Sequence, residues 1–272
     1  MCRHLGYLGV PTSPHHPLVR APHALTVQAW APADMRGGGT VNVDGFGLGW
    51  FADDGRPVRY RRPAPVWSDE DLPRLAETVL SDRWVAAVRS GTPGMPVTEA
   101  ACAPFADDEW LFSHNGVVSG WPESVSAPAE KLPVAELLRL PAPTDSALLW
   151  ALLRRRLGDG ADPVDAVLRL TWEVAQAAPG SRLNLLLVGR DLLIATAWGH
   201  ALSVLRSPSG PDGVFVASEP WDADPCWEPV PDGGLVVARR AVSPDGGGTD
   251  VGAGHPAVRV DIDTVGGERS QA

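Results

Sequence analysis

Positive charge is scarce in this chain: 23 lysines and arginines face 33 acidic residues, for a net charge of -10. Nucleic-acid binding needs a cationic face to neutralise phosphates, and no such face can be drawn. The longest basic runs are Arg61-Arg62 and Arg154-Arg155-Arg156, and the second falls on an expected helix, where it reads as a solvated face. Cysteine is scarce too, with three residues (Cys2, Cys102 and Cys226) that are odd in number and widely scattered. They argue against a disulfide framework, lack zinc-ligand spacing and fit a reducing compartment. No apolar stretch reaches 18 residues and no basic-then-apolar leader opens the chain, so neither a membrane helix nor a signal peptide is expected. The expectation is a cytoplasmic protein with no nucleic-acid or membrane partner.

Cofactor and metal signatures are also missing. His15-His16 are adjacent and proline-flanked, and His4, His23, His114 and His200 have no partners at ligand spacing. Gly37-Gly38-Gly39 precedes no helix signal, so it is no phosphate loop. No metal and no cofactor is implied.

What the chain does contain is globular material, 44% hydrophobic and 21% charged. Short β-prone runs appear at Phe46–Ala52, Val58–Arg61, Trp84–Ser90 and Trp110–His114, separated by turn signals such as Asp54-Gly55. They resume at Leu183–Gly189, Leu192–Trp198, Ala201–Leu205, Val214–Ser218 and Leu235–Ala238. Between the two sets lie helices: one over Glu70–Leu80, and one opening at Thr144-Asp145 with Leu148, Leu149, Leu152 and Leu153 on a single face. Another opens with Asp162 as cap and Pro163 in the first helical position, then runs toward Gln176. A weaker helical segment covers Val134–Leu140. Strands, then helices, then strands predict α+β layers. One domain is expected to about Val242, followed by a Gly/Pro-rich tail over 243–272 that is expected to be flexible, with an alternation at Val258, Val260 and Ile262 that leaves room for a short strand.

Chemistry enters at the second residue. Initiator methionine is generally removed before a small residue, so the mature chain is expected to begin with Cys2. Its free α-amine, of pKa about 7.7–8.0, would be a general base beside a thiol that titrates near 8.5. Ser113-His114-Asn115-Gly116, at the end of an expected strand, offers an amide side chain and a close-approaching backbone N–H for an oxyanion. An Asn-Gly pair is more often simply a hairpin turn. Arg89 emerges from a strand into Ser90-Gly91-Thr92-Pro93-Gly94, which suits bidentate capture of a carboxylate. Asp145 stands where it could meet an ammonium or could merely cap a helix.

Together and in order, Cys2 with Arg3 and Gly6, Asp44-Gly45 and Gly47, Arg89 with Thr92 and Gly94, His114-Asn115-Gly116 and Asp145-Ser146 resemble the class-II glutamine amidotransferases. The resemblance implies an α+β fold, a four-layer αββα sandwich of the N-terminal-nucleophile type. It implies Cys2 as nucleophile and Asn115 with Gly116 as oxyanion hole. Arg89 would take the α-carboxylate of a glutamyl group and Asp145 its α-ammonium, with Thr92 helping to hold the same end. The substrate loop departs from the family's Arg-Trp-Ala-Thr-His-Gly and reads Arg-Ser-Gly-Thr-Pro-Gly. That change counts against glutamine as substrate, and the glutaminase-type domain leaves no room for an ammonia-accepting one, so hydrolysis is expected.

Further strings are similar to the ergothioneine-biosynthesis amidohydrolases: Met-Cys-Arg-His-Leu-Gly-Tyr-Leu-Gly at the start, Asn42-Val43-Asp44-Gly45-Phe46-Gly47, Arg182-Leu183-Asn184 and Ser218-Glu219-Pro220-Trp221-Asp222. That family hydrolyses γ-glutamyl-hercynylcysteine sulfoxide, a small-molecule substrate. The alternative is a glutaminase subunit supplying ammonia to a separate synthase. Trp30, Trp221 and Trp227 are candidates for a wall around the trimethylammonium of the leaving group. If the α-amine is the base, intact-mass measurement should show loss of Met1 and Cys2→Ala should abolish turnover. Full activity in a chain that keeps Met1 would refute this.

Overall fold

The ten residues after Cys2 form the strand around which everything else is laid. β1 (Arg3–Thr12) is buried without interruption from Arg3 to Val10. Unbroken burial is what a strand covered on both faces shows. Its polar opening and its glycines hide it from a reading based on alternation, and no strand is expected there from sequence. The computed structural model describes residues 2–36, 41–206, 213–240 and 258–265. Met1, Gly37-Gly38-Gly39, Pro211-Asp212 and Val242 lie outside the described residues.

Among those described, twelve further strands follow: β2 (Phe46–Phe51), β3 (Pro57–Arg62), β4 (Ser81–Val88), β5 (Phe105–Ala106), β6 (Leu111–Val117), β7 (Arg182–Val188), β8 (Leu192–Ala197), β9 (Ser203–Arg206), β10 (Gly213–Ala217), β11 (Trp227–Pro229), β12 (Gly234–Arg240) and β13 (Val258–Thr264). They make two antiparallel sheets, in the orders β11-β9-β10-β1-β4-β2-β3 and β13-β12-β8-β7-β6-β5. The sheets pack face to face through Leu8, Val85, Leu111, Leu186, Val216 and Val236. The sheets approach closely at Gly6, where a Cβ would sit 2.9 Å from Leu186 Cδ1.

Helices cover the two outer faces. The helix Asp145–Gly158 is capped by the Thr144 hydroxyl, which accepts the Ala147 N–H. In the next, Pro163–Ala177, Asp162 accepts from Val164 and Asp165. Both pack on the second sheet, with Phe112 of β6 stacked on Trp150 at 5.5 Å. The first sheet is covered by the turns His16–Arg20 and Leu25–Gln28 and the helix Leu72–Thr78, which bury Leu18, Leu25 and Leu72 against Leu5, Tyr7 and Trp84. The result is a four-layer αββα sandwich. No helix of the described residues is long and apolar enough to cross a membrane.

Several expectations need correcting. The strand expected over Trp84–Ser90 ends at Val88, which puts Arg89 in the loop beyond it. The weaker helix is a single turn, Val134–Leu137. The tail expected to be flexible contributes β13, which pairs along the whole of β12 from Gly234↔Thr264 to Arg240↔Val258. Its alternation seats Val258, Val260 and Ile262 against the core between the sheets, so residues beyond 242 complete the second sheet.

Register decides where the site lies. Arg3 pairs with Val88 of β4, while Leu5 pairs with Ala217 of β10. The start of β1, the exit of β4 and the exit of β10 therefore meet at one end of the first sheet.

Candidate active site

Side chains alternate along β1. His4, Gly6 and Leu8 face the second sheet, and Arg3, Leu5 and Tyr7 face the outer layer. Cys2 is half-buried, with its Sγ 3.7 Å from the Ser90 carbonyl oxygen. It is held by its neighbour. Arg3 is fully buried and gives Nε to Glu219 Oε1 at 2.8 Å, Nη1 to the Cys2 carbonyl at 3.1 Å, and Nη2 to the Asp34 carbonyl. The other oxygen of Glu219 takes His23 Nε2 and the Ala33 N–H, each at 2.8 Å. One buried ion pair thus ties the Cys2 backbone to two other segments.

Arg89 follows β4 and is threaded against Asp44-Gly45: Asp44 N–H donates to the Arg89 carbonyl at 3.0 Å, and Arg89 N–H to the Gly45 carbonyl at 2.7 Å. Gly45 has φ +135°, and a Cβ there would lie 2.3 Å from Cys102 Sγ, so only glycine fits. Asp44 Oδ2 also accepts the Gly91 N–H at 2.7 Å, which shapes the loop after Arg89. The Arg89 guanidinium is buried, with Nη1 on the Asp44 carbonyl at 3.3 Å and Nη2 without a partner among the described residues. A buried donor left unmade costs about 1–3 kcal/mol, more for a charged group, so this nitrogen is an open request for an anionic acceptor. Cys2 and Arg89 line one small cavity, together with Phe46, Ser113, His114 and Ser146.

Asn115 and Gly116 sit at the end of β6 but do not line that cavity. They are no hairpin turn, being paired in mid-ladder with Asn184 and Leu183 of β7. Asn115 is fully buried, its Nδ2 gives to Ser218 Oγ at 3.0 Å, and its Oδ1 has no partner among the described residues. At Gly116 a Cβ would stand 1.8 Å from the Arg182 carbonyl oxygen, which excludes every other residue. His114, on the opposite face of β6, gives Nε2–H to the Arg182 carbonyl at 3.0 Å, and its Nδ1 lies 3.0 Å from the Ser146 hydroxyl oxygen.

Asp145 is not the helix cap, a part played by Thr144. Its buried carboxylate accepts Val118 N–H at 3.1 Å and Ser146 N–H at 2.7 Å, which ties the helix start to the strand that carries Asn115. Thr92 is exposed in a turn whose carbonyl accepts Met95 N–H at 2.9 Å, away from the cavity lining. Trp221 and Trp227 pack edge to face at 4.6 Å in the outer layer, Trp221 buried and Trp227 partly so, and neither lines the cavity. Trp30 is 55% exposed. The sequence reading missed Phe46, Ser113 and Ser146 in the cavity wall, and Ser218 and Glu219 behind it. The last two stand in a recognised string but carry no chemical signal of their own.

A cysteine thus leads into the central strand of an αββα sandwich. The family profile described as "Glutamine amidotransferases class-II" matches residues 21–211, and the chain belongs to that family. It is 40% identical over 241 residues, 89% of this chain and 97% of the relative, to a Mycolicibacterium smegmatis protein named gamma-glutamyl-hercynylcysteine sulfoxide hydrolase. A Mycobacterium tuberculosis protein of the same name is 41% identical over 89% of this chain and 95% of its own length. Among solved structures, a glutamine aminotransferase class-II domain protein from Silicibacter pomeroyi superposes with TM-score 0.62 at 22% identity. It covers 95% of this chain and 98% of that one, a likeness of fold.

Two histidines beside the site are held neutral. Burial first, then the neighbouring His114, His200 and Arg3, push the His4 pKa down to about 3. Burial and Arg3 push His200 down to about 4. In the unfolded chain both rings titrate near 6.5. Below that pH the unfolded state binds protons that the folded state refuses, so stability is full above pH 6.5 and falls as pH drops toward the native values. The slope for a fully buried ring is about 1.4 kcal/mol per pH unit. Denaturant unfolding should therefore show a lower midpoint at pH 5 than at pH 7, and His4→Gln should flatten that dependence.

Proposed function

We propose that the chain hydrolyses the γ-glutamyl amide of γ-glutamyl-hercynylcysteine sulfoxide, releasing glutamate and hercynylcysteine sulfoxide, a step of ergothioneine biosynthesis. The observation that carries this reading is a thiol and an unpartnered buried guanidinium nitrogen in one cavity, Cys2 and Arg89. A nucleophile and a carboxylate receptor at fixed separation are what a γ-glutamyl group requires. The kinship with relatives named for this reaction supports the choice of leaving group.

With Met1 removed, the α-amine of Cys2 takes the thiol proton and the thiolate attacks the γ-carbonyl carbon. Asn115 Nδ2 and the Gly116 N–H receive the oxyanion. The C–N bond breaks as the leaving amine takes the proton, and a thioester to Cys2 remains. Water, deprotonated by the same α-amine, opens the thioester, releases glutamate and returns the thiol. Arg89 holds the α-carboxylate. Asp145, with lone pairs left after its two backbone bonds, takes the α-ammonium, and Thr92 helps to hold the same end.

Truncating one partner of a desolvated charge pair costs about 2–5 kcal/mol. Arg89→Ala is expected to depress kcat/KM severely for every γ-glutamyl compound, whatever the leaving group. Competition between γ-glutamyl-hercynylcysteine sulfoxide, glutamine and glutathione at equal concentrations should favour the sulfoxide in kcat/KM. Glutamine cleaved as efficiently would return the chain to the glutaminases.

A further inference from the structure

The oxyanion role given to Asn115 conflicts with the hydrogen bonds its amide makes. Nδ2, the end that must donate, is spent on Ser218 Oγ at 3.0 Å, while Oδ1 is buried with no partner. Both side chains are fully buried. A carboxamide has two ends of nearly equal size, so a half-turn exchanges them within the same space. Which end stays free depends on what Ser218 offers it.

A hydroxyl can offer either role. Ser218 Oγ accepts the His4 N–H at 2.9 Å, and its own proton has a long 3.3 Å contact to the His4 carbonyl. That carbonyl already receives Ser218 N–H at 3.0 Å, so it loses little if the hydroxyl turns away. Turned toward Asn115, the Ser218 O–H satisfies Oδ1 and leaves Nδ2 where Oδ1 stood bare. A fixed donor with no acceptor is the condition an oxyanion hole requires. The same Oγ stays bonded to the backbone of β1 two residues from Cys2, so donor and nucleophile share one anchor.

We infer that Ser218 is a positioning residue: its hydroxyl gives to Asn115 Oδ1 and so reserves Nδ2 for the oxyanion. The inference rests on the oxyanion assignment of Asn115 made above. Among the described residues Ser218 is the one hydrogen-bond partner of the Asn115 side chain, so nothing else dictates the amide's orientation. An alanine there would leave the amide free to turn, whereas threonine would keep the hydroxyl.

The test is steady-state kinetics of Ser218→Ala, Ser218→Thr, Asn115→Ala and the double variant Ser218→Ala/Asn115→Ala, with thermal unfolding to confirm folding. Asn115→Ala should lose about 10²–10³ in kcat, the usual loss for one oxyanion donor. Ser218→Ala should lose about tenfold or more of that same factor with KM nearly unchanged, and Ser218→Thr should recover it. The double variant should be no slower than Asn115→Ala alone. If Ser218→Ala does not fold, Ser218→Cys, of similar size and a weaker donor, should show the same kcat loss in smaller measure. Losses that multiply in the double variant, or a Ser218→Ala that keeps full kcat while Asn115→Ala loses it, would overturn the positioning role and leave the oxyanion assignment standing. An Asn115→Ala enzyme with unchanged kcat would overturn both.

Discussion

The buried contact between Arg3 and Glu219 is the constraint on which the site depends. Chain termini usually fray, because few contacts repay the entropy of ordering them. The nucleophile role proposed for Cys2 requires the opposite, since misplacing a reacting group by about 1 Å can cost a hundredfold in rate. Here the terminus is the leading end of the central strand, and the Arg3 guanidinium grips the carbonyl of Cys2 itself. Glu219 then joins that guanidinium to His23 and Ala33. Buried ion pairs contribute uncertainly to net stability, because desolvation offsets attraction, but removing one partner strands the other charge at a cost of about 3–5 kcal/mol. What the pair supplies is a fixed geometry for the terminus.

Glu219 follows Ser218 in the chain, so the segment that anchors the nucleophile also touches the amide assigned to the oxyanion. Cys2 and Asn115 are thereby tied to one stretch of backbone at the exit of β10. The substrate end is built differently. Arg89 is held by main-chain bonds to Asp44-Gly45, and among the described residues its Nη2 has no partner. Close approach there depends on glycine: at Gly47 a Cβ would lie 2.2 Å from the Ala103 carbonyl oxygen. These glycines let backbone meet backbone beside the cavity, while between and before them Phe46 lines it and Asp44 shapes the loop after Arg89.

Much of this was legible in the residues. Asp162 and Pro163 mark a helix start because their chemistry is local: a carboxylate accepts the first N–H groups and proline needs none. The strands with turn signals on either side were legible for the same reason. β1 was not, because its burial comes from partners 80 and more than 200 residues away, and nothing in Arg-His-Leu-Gly-Tyr announces them. β13 was half legible: its alternation was visible, but only pairing with β12 gives the apolar face something to cover.

The site divides along the same line. Cys2 at a processing position, the Asn115-Gly116 pair and an arginine opening a glycine-rich loop are chemical types in order, and sequence alone determined them together with the family they resemble. The tertiary structure decided which of them share a cavity, and it admitted Cys2 and Arg89 but not Asn115, Gly116, Asp145 or Thr92. It also decided that Thr144 caps the helix, which frees Asp145 to tie it to β6, and that Trp221 packs in the outer layer. The reason is distance along the chain. Caps and turns are settled within a few residues, whereas a buried charge, a bare amide oxygen or a stacked indole takes its meaning from neighbours that only the folded sheets bring to it.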